Sequence, residues 1–206
     1  MDEVDDMIAP ETEPAFDALA ALDARVRLVD AANAPLLLRS LFADGDPGPI
    51  ASAVALVPEL VQPTLAFVGA ALSPVSLSAR AKEIIILRTS VLCACRYCVN
   101  AHTVVALDTG LSIHETTVLR DPRPVVEGFG DPAERALLEY IDVVAESSQP
   151  ILDDQYQQLT AHWRDYEIVE ITLTIGTTML LNRLCTALRL PSSPETLTRL
   201  ASQGLQ

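Results

Sequence analysis

A short stretch of the chain brings together side chains that are able to carry out sulfur chemistry. Cys95 and Cys98 form a C-x-x-C pair, and His102 follows Cys98 by four residues. Glu83 precedes Cys95 by twelve residues. Redox chemistry at sulfur needs a thiolate that attacks, a thiol that resolves the product and a group that relays protons. These four residues supply all three kinds of group.

Two predicted helices must position these groups. Ser78 is a suitable N-cap for a helix that runs to about residue 93, and a second helix is predicted over about 95–108, ended by Gly110. The apolar run 84–87 within the first helix would also suit a buried strand. The helix-forming flanks and the total length favour a helix.

The start of the second predicted helix suits an acidic thiol. Unpaired backbone N–H groups and the helix macrodipole stabilise an anion there, so Cys95 and Cys98 should ionise more easily than a free cysteine. Cys98 and His102 are four residues apart and share one helix face. The imidazole can therefore accept the thiol proton, and the cysteine spacing allows a disulfide.

Glu83 lies beside the apolar run 84–87, where a carboxylate that points inward needs a hydrogen-bonding partner. An imidazole or a thiol from the next helix would serve, and a buried glutamate of raised pKa could shuttle protons. The alternative is that Glu83 faces solvent, as we expect of Lys82 and Arg88. His102 could likewise be a core residue without a chemical role.

Metal binding is the main chemical alternative, because Cys93, Cys95, Cys98 and His102 offer four nitrogen and sulfur ligands. Structural zinc sites usually draw their ligands in pairs from separated segments. Four ligands within ten residues would not converge easily, so we expect no metal and no other cofactor.

The remaining candidates have plainer interpretations. Cys93 is expected to be a small core residue, with a role as a third thiol as the alternative. Cys185, in an apolar helix, is expected to be core packing. Tyr97 could assist a proton relay through its hydroxyl, or it could simply pack.

Composition excludes several classes of partner. The 206 residues carry a formal net charge of −14, which repels nucleic acid and anionic membrane surfaces. Residues 1–6 are acidic, unlike the start of a secretory signal, and no unbroken apolar run is long enough to span a bilayer. We therefore expect a soluble, cytoplasmic protein in which a C-x-x-C is catalytic or metal-binding rather than structural.

The pattern along the chain predicts an all-α protein with one domain. We expect an acidic N-terminal arm at residues 1–20, a helical domain at 21–190 and a C-terminal tail at 191–206. Ser112 opens a capping-box pattern for one short helix. Further helices are predicted at 16–29, 35–42, 50–57, 63–72, 132–146, 153–163 and 166–188.

The pattern Glu-x11-Cys-x-x-Cys-x3-His, followed by Gly110, resembles the core motif of the alkylhydroperoxidase D (AhpD)-like family, in the carboxymuconolactone decarboxylase superfamily. The segments 86–88 and 97–102 resemble its members closely, and 167–175 and 181–183 continue the likeness. The resemblance covers roughly residues 24 to 188.

The resemblance implies an all-helical fold that assembles into a homo-oligomer, a dimer, trimer or hexamer, and a peroxidase cycle without a cofactor. Cys98 would attack a hydroperoxide, Cys95 would resolve the sulfenic acid, and Glu83 with His102 would relay protons. A dithiol or a thiol protein would be the reductant. The best-known members have histidine at the position of Tyr97, so one base is absent here.

Three other functions remain open at this point. A disulfide oxidoreductase would use the same cysteines without a peroxide, and a redox-sensing oligomer would use the disulfide to change its assembly. Lactone chemistry like that of the superfamily's namesake does not need a C-x-x-C pair, so Cys95 and Cys98 argue against it.

Overall fold

The computed structural model describes residues 23–123, 128–146 and 151–205, and within these ranges all regular structure is helical. The predicted acidic arm lies outside the described residues. A 3-10 helix, Leu36–Phe42, precedes the α-helices. These are α1 (Pro49–Val54), α2 (Pro58–Leu72), α3 (Ala79–Leu92), α4 (Arg96–Asp108), α5 (Ile113–Leu119), α6 (Pro132–Glu146), α7 (Asp153–Thr160), α8 (Asp165–Leu188) and α9 (Pro194–Ser202).

Helix α3 lies at the centre of the fold. It packs against α4, α6 and α8, and every residue from 81 to 90 is buried. The Ser78 hydroxyl accepts a hydrogen bond from the backbone N–H of Ala81, as expected of its N-cap. The helix prediction for the apolar run is confirmed. Because α3 is covered on all sides, it shows no one-sided apolar pattern.

The expectation that Lys82 and Arg88 face solvent is wrong, since each side chain is only 1% exposed. Lys82 Nζ lies 2.9 Å from Glu170 Oε1 on α8. Arg88 forms a two-pronged pair with Asp142 on α6, with Nε–Oδ1 and Nη2–Oδ2 distances of 2.6 and 2.9 Å. Partners more than fifty residues away keep these charges inside the protein, and local sequence does not reveal them.

The turn after α4 agrees with prediction. Gly110 has a φ of 94°, the left-handed backbone that favours glycine after a helix. Ser112 and Glu115 then form the predicted capping box, each side chain hydrogen-bonding the other residue's backbone N–H. This corner directs the chain from α4 into α5.

Two helix predictions near the start differ from the structure. The described part of the predicted helix at 16–29 is not helical, because Arg25 N and Val29 N donate to the carbonyls of Leu188 and Ser52 instead. Helix α2 begins at Pro58 rather than at residue 63 and carries Pro63 inside it. Pro58, at the first helical position, loses no hydrogen bond, whereas Pro63 cannot donate to the carbonyl of Glu59.

The segment predicted as a C-terminal tail contains α9, which packs against α4. Ser193 caps this helix by accepting a hydrogen bond from Thr196 N, and Arg199 pairs with Asp108 on α4. Leu200 is 2% exposed. A capped helix therefore continues the packed structure beyond residue 190, the predicted end of the helical domain.

Helix α8 is long enough and apolar enough to cross a membrane. The unbroken apolar runs of the sequence are each too short to do so. It has 24 residues, and half of its most apolar window is buried within the protein. Buried threonines and Asn182 lie along the same helix. These features are typical of a core helix.

Candidate functional site

The two C-x-x-C thiols meet at the beginning of α4. Cys95 is the N-cap residue, and its Sγ accepts a hydrogen bond from the backbone N–H of Cys98 at 3.4 Å. The Sγ atoms of Cys95 and Cys98 are 2.6 Å apart, and both residues are free cysteines with at most 5% exposure. The predicted juxtaposition of the pair is present, and little movement separates the dithiol from a disulfide.

Glu83 and His102 also meet, across the interface of α3 and α4. Oε2 of Glu83 lies 2.9 Å from Nδ1 of His102. The glutamate is buried, whereas the histidine side chain is 25% exposed. The inward orientation of Glu83 and its imidazole partner are as predicted. This contact orients the imidazole one helical turn beyond Cys98, where a proton relay requires it.

Cys185 joins the two thiols from α8. The Sγ atoms of Cys95, Cys98 and Cys185 all lie within 4.8 Å of one another, and Cys185 is 1% exposed. Sequence reasoning assigned Cys185 to core packing and missed this cluster. No local motif marks it, because the contact is created by packing of α8 against α4. The only signal in the sequence was that residue 185 is itself a cysteine.

Hydrogen bonding concentrates negative charge on Cys95. Hydrogen bonds with Cys185 and Cys98, outweighing burial, lower the pKa of Cys95 to about 3. The hydrogen bonds with Cys185 and Cys95, with burial, raise the pKa of Cys98. The pKa of Cys185 is also raised, first by its bond with Cys95. The shifts therefore favour negative charge on Cys95 over the other two sulfur atoms, and attack by Cys98 stays a prediction.

A cavity of about 390 Å³ opens beside this cluster. Cys95, Tyr97 and Cys185 line it, together with the chain that follows α8. Among the described residues, neither Cys98 nor His102 belongs to the lining. Two of the three clustered cysteines therefore line the cavity.

The cavity wall differs in charge from the rest of this acidic protein. Arg25, Arg96 and Arg189 line it, and none of the described lining residues is acidic. Arg25 Nη1 donates to the carbonyl of Ala187, another lining residue, at 3.0 Å. Ala94 and Arg189, also in the lining, have φ values of 51° and 54°, and they are the described non-glycine residues with positive φ. Strained backbone of this kind gathers at functional sites.

Tyr97 is half-buried against the same cavity. Burial raises its pKa to about 12, so the phenol stays protonated near neutral pH. It can therefore donate a hydrogen bond into the cavity but does not act as a base. Its predicted auxiliary role is limited to donation.

The residues able to hold a metal differ from those considered in the sequence. Within the described chain, the converging ligand group is Cys95, Cys98 and Cys185, without Cys93 or His102. Three thiolates suit a soft metal ion, but structural zinc takes four ligands. No fourth histidine, cysteine or carboxylate of the described residues completes the group.

Residues 58–142 match the carboxymuconolactone decarboxylase family, a range that includes all four predicted site residues. No curated protein is significantly similar to the chain. The family resemblance is confirmed by this match together with the fold, which is that of AhpD-like, peroxidase-related proteins.

Several solved structures share this fold. A protein of unknown function from Agrobacterium tumefaciens, named for the antioxidant defence protein AhpD, is 28% identical, with a TM-score of 0.59, 68% of this chain covered and 95% of that chain. An uncharacterized peroxidase-related protein from Silicibacter sp. TM1040 is 20% identical, with a TM-score of 0.73 and coverage of 84% and 93%. The debrominase Bmp8, in complex with 2,3,4-tribromopyrrole, is 15% identical, with a TM-score of 0.69 and coverage of 88% and 100%. The last two likenesses concern the fold alone.

Proposed function

We propose that the protein is a thiol-dependent peroxidase of the alkyl hydroperoxide reductase type, cycling Cys95 and Cys98 between dithiol and disulfide. The observation that carries this proposal is the paired thiols at a helix N-terminus, one turn from an imidazole held by a buried carboxylate. A thiolate, a resolving thiol and a proton relay are the groups that peroxide reduction by cysteine requires.

In the proposed cycle, Cys98 loses its proton and its sulfur attacks the distal oxygen of the hydroperoxide. The O–O bond breaks, and the alcohol leaves with a proton from the His102–Glu83 pair. Cys98 is then a sulfenic acid. The Cys95 thiolate attacks its sulfur, the S–O bond breaks, hydroxide leaves and takes up a proton to become water, and a Cys95–Cys98 disulfide forms. A dithiol or a thiol protein reduces the disulfide and is itself oxidised.

The first step requires a route by which Cys98 loses its proton. His102, one helical turn away and held by Glu83, is the proposed acceptor of that proton, which it then returns to the departing alcohol.

The deciding experiment is to count thiols while peroxide is consumed. The dithiol-reduced protein is treated with cumene hydroperoxide or hydrogen peroxide, and a disulfide donor serves as a separate oxidant. Loss of two thiols per chain with continuing peroxide turnover supports the peroxidase. Thiol loss to the disulfide donor but not to peroxide would instead identify a disulfide oxidoreductase or sensor.

The same assay assigns the two cysteines. Cys95→Ser should still react once with peroxide and leave a sulfenic acid on Cys98, trapped by dimedone. Cys98→Ser should leave none. The opposite result would make Cys95, which carries the resting charge, the attacking residue. If neither oxidant changes the thiols of the wild-type protein, the redox function fails and lactone chemistry becomes the better proposal.

We also propose that the protein works as a homo-oligomer in a reducing compartment such as the cytoplasm. Tyr166, Val169, Leu173 and Leu180 on α8 are each at least half exposed, and their spacing puts them on one helix face. Light scattering should give more than one chain per particle. Leu173→Glu should reduce the particle to a monomer, whereas an unchanged mass would place the interface elsewhere.

A further inference from the structure

Cys185 lies within reach of both redox cysteines but has no part in the cycle described so far. It is buried on α8, nearly ninety residues from the C-x-x-C pair, and is hydrogen-bonded to both thiols. A core cysteine needs no sulfur neighbours. Three thiols within 4.8 Å of one another are instead placed for exchange.

The position of the cavity separates the three sulfur atoms. Cys95 and Cys185 line it, whereas Cys98 is not among its described lining residues. A reductant must bring its own thiolate to one sulfur of the protein disulfide. With a Cys95–Cys98 disulfide, the cavity offers one sulfur to attack, whereas a Cys95–Cys185 disulfide would offer two.

We propose that Cys185 is a third redox-active thiol, which takes over the disulfide from Cys98 and presents it to the reductant as Cys95–Cys185. This inference rests on the proposed function for the origin of the first disulfide. The exchange itself requires only the three neighbouring thiols.

The exchange is an isomerisation that consumes no oxidant. The Cys185 sulfur attacks Sγ of Cys95, and the Cys95–Cys98 bond breaks. The proton of Cys185 passes to the departing sulfur of Cys98, its hydrogen-bonded neighbour. The sum is one disulfide and one thiol on each side of the reaction. Cys98 is restored to its place beside the relay before the reductant acts.

The sequence makes this inference easy to test by peptide mapping. Trypsin cuts after Arg96, so Cys95 falls in peptide 89–96, Cys98 in 97–120 and Cys185 in 184–189. Cys93 shares the first peptide, and Cys93→Ala removes that ambiguity. Cys93 is buried but outside the thiol cluster, so this variant is also the matched control.

The Cys93→Ala protein is reduced, oxidised with one equivalent of diamide, quenched in acid, alkylated and digested. We expect two cross-linked products, 89–96 with 97–120 and 89–96 with 184–189. Adding Cys185→Ala should leave only the first and slow reduction by dithiothreitol about threefold or more. Absence of any 184–189 cross-link, with an unchanged reduction rate, would overturn the inference.

A second variant keeps the test decisive if Cys185→Ala does not fold. Cys93→Ala with Cys98→Ser retains Cys95 and Cys185 as the two cluster thiols. Diamide should oxidise both of these thiols to a disulfide that links peptide 89–96 to peptide 184–189. Failure to form this link would overturn the inference. Diamide needs no peroxide activity. If the wild-type protein ignores peroxide but this variant forms the Cys95–Cys185 link with diamide, the peroxidase proposal fails while this one is supported.

Discussion

Lys82 and Glu83 are neighbours on α3, equally charged in magnitude and both buried, yet they face different surroundings. Lys82 Nζ has three acceptors, Ala71 O at 2.7 Å, Thr174 Oγ1 at 2.8 Å and Glu170 Oε1 at 2.9 Å. An ammonium has three donors, so this side chain is fully satisfied. Glu83 meets the titratable ring of His102, close to the thiols.

This difference divides the buried charges into two groups. We call the surroundings of Lys82 and Arg88 the structural region, and the surroundings of Cys95, Glu83 and His102, where the proposed chemistry takes place, the reactive region. Around Lys82, and likewise around Arg88 and Asp142, ion pairs hold fixed partners, which anchors α3 to α8 and α6. Around Cys95 and His102 the neighbours are thiols and a carboxylate, groups that can take part in proton transfer. Burial is common to both regions, so burial alone does not identify the functional one.

The largest expected effect is confined to the reactive region. Cys98→Ser should abolish peroxide turnover, because the proposed attacking sulfur is gone, while the melting temperature stays near that of the wild type. Cys93→Ser is the matched control and should keep both properties. Turnover is measured by peroxide consumption and stability by thermal melting. Continued turnover in Cys98→Ser would contradict the proposal that Cys98 is the attacking residue.

The structural region should respond in stability instead. Arg88→Ala leaves Asp142 without its partner and should lower the free energy of unfolding by about 3–5 kcal/mol. Arg183→Ala, on an exposed part of α8, should change it by about 0.5 kcal/mol or less. Urea unfolding measures both. If Arg88→Ala and Arg183→Ala lower the free energy of unfolding equally, the Arg88–Asp142 pair does not anchor α6.

Glu83→Gln sharpens the contrast with a change of one atom in a buried side chain. Glutamine can still accept a hydrogen bond from His102 but has no carboxylate to take up a proton. Turnover should fall about 100-fold, a typical contribution of general acid–base catalysis, with about 1 kcal/mol or less lost in stability. Glu139→Gln, on an exposed part of α6, is the control. Turnover that is unchanged at every pH would remove Glu83 from the relay.

The smallest effect is a difference in pH dependence. Because the pKa of Cys95 is lowered to about 3, its thiolate persists above that value and is lost only as the pH falls through it. Alkylation of Cys95 by iodoacetamide should therefore be nearly constant between about pH 5 and pH 8. Cys93 provides the internal reference on the same tryptic peptide. A tenfold rise in the Cys95 rate per pH unit would mean that it rests as a thiol.

Much of the reactive region was predictable because its information is local. The C-x-x-C spacing, the i to i+4 relation of Cys98 and His102, and the cap at Ser78 depend on residues close in sequence. The partner of Glu83 could be inferred because the next helix carried the available imidazole. These are contacts within one helical hairpin, α3 and α4.

The rest depended on contacts that distant segments make after folding. Cys185 reaches the thiols only through the packing of α8 on α4, and Lys82 is buried only because Glu170 and Thr174 arrive on α8. The cavity is closed by the chain after α8, which sequence reasoning placed at the edge of a tail. No spacing rule connects residues so far apart.

The burial of Lys82 has a practical consequence for labelling the protein. It is the only lysine in the sequence, and its side chain is 1% exposed with each of its donors engaged. Reagents that acylate side-chain amines therefore find no accessible lysine in the folded chain. Acylation of Lys82 therefore requires its side chain to separate from its partners on α2 and α8. The rate of acylation would measure how often that separation occurs.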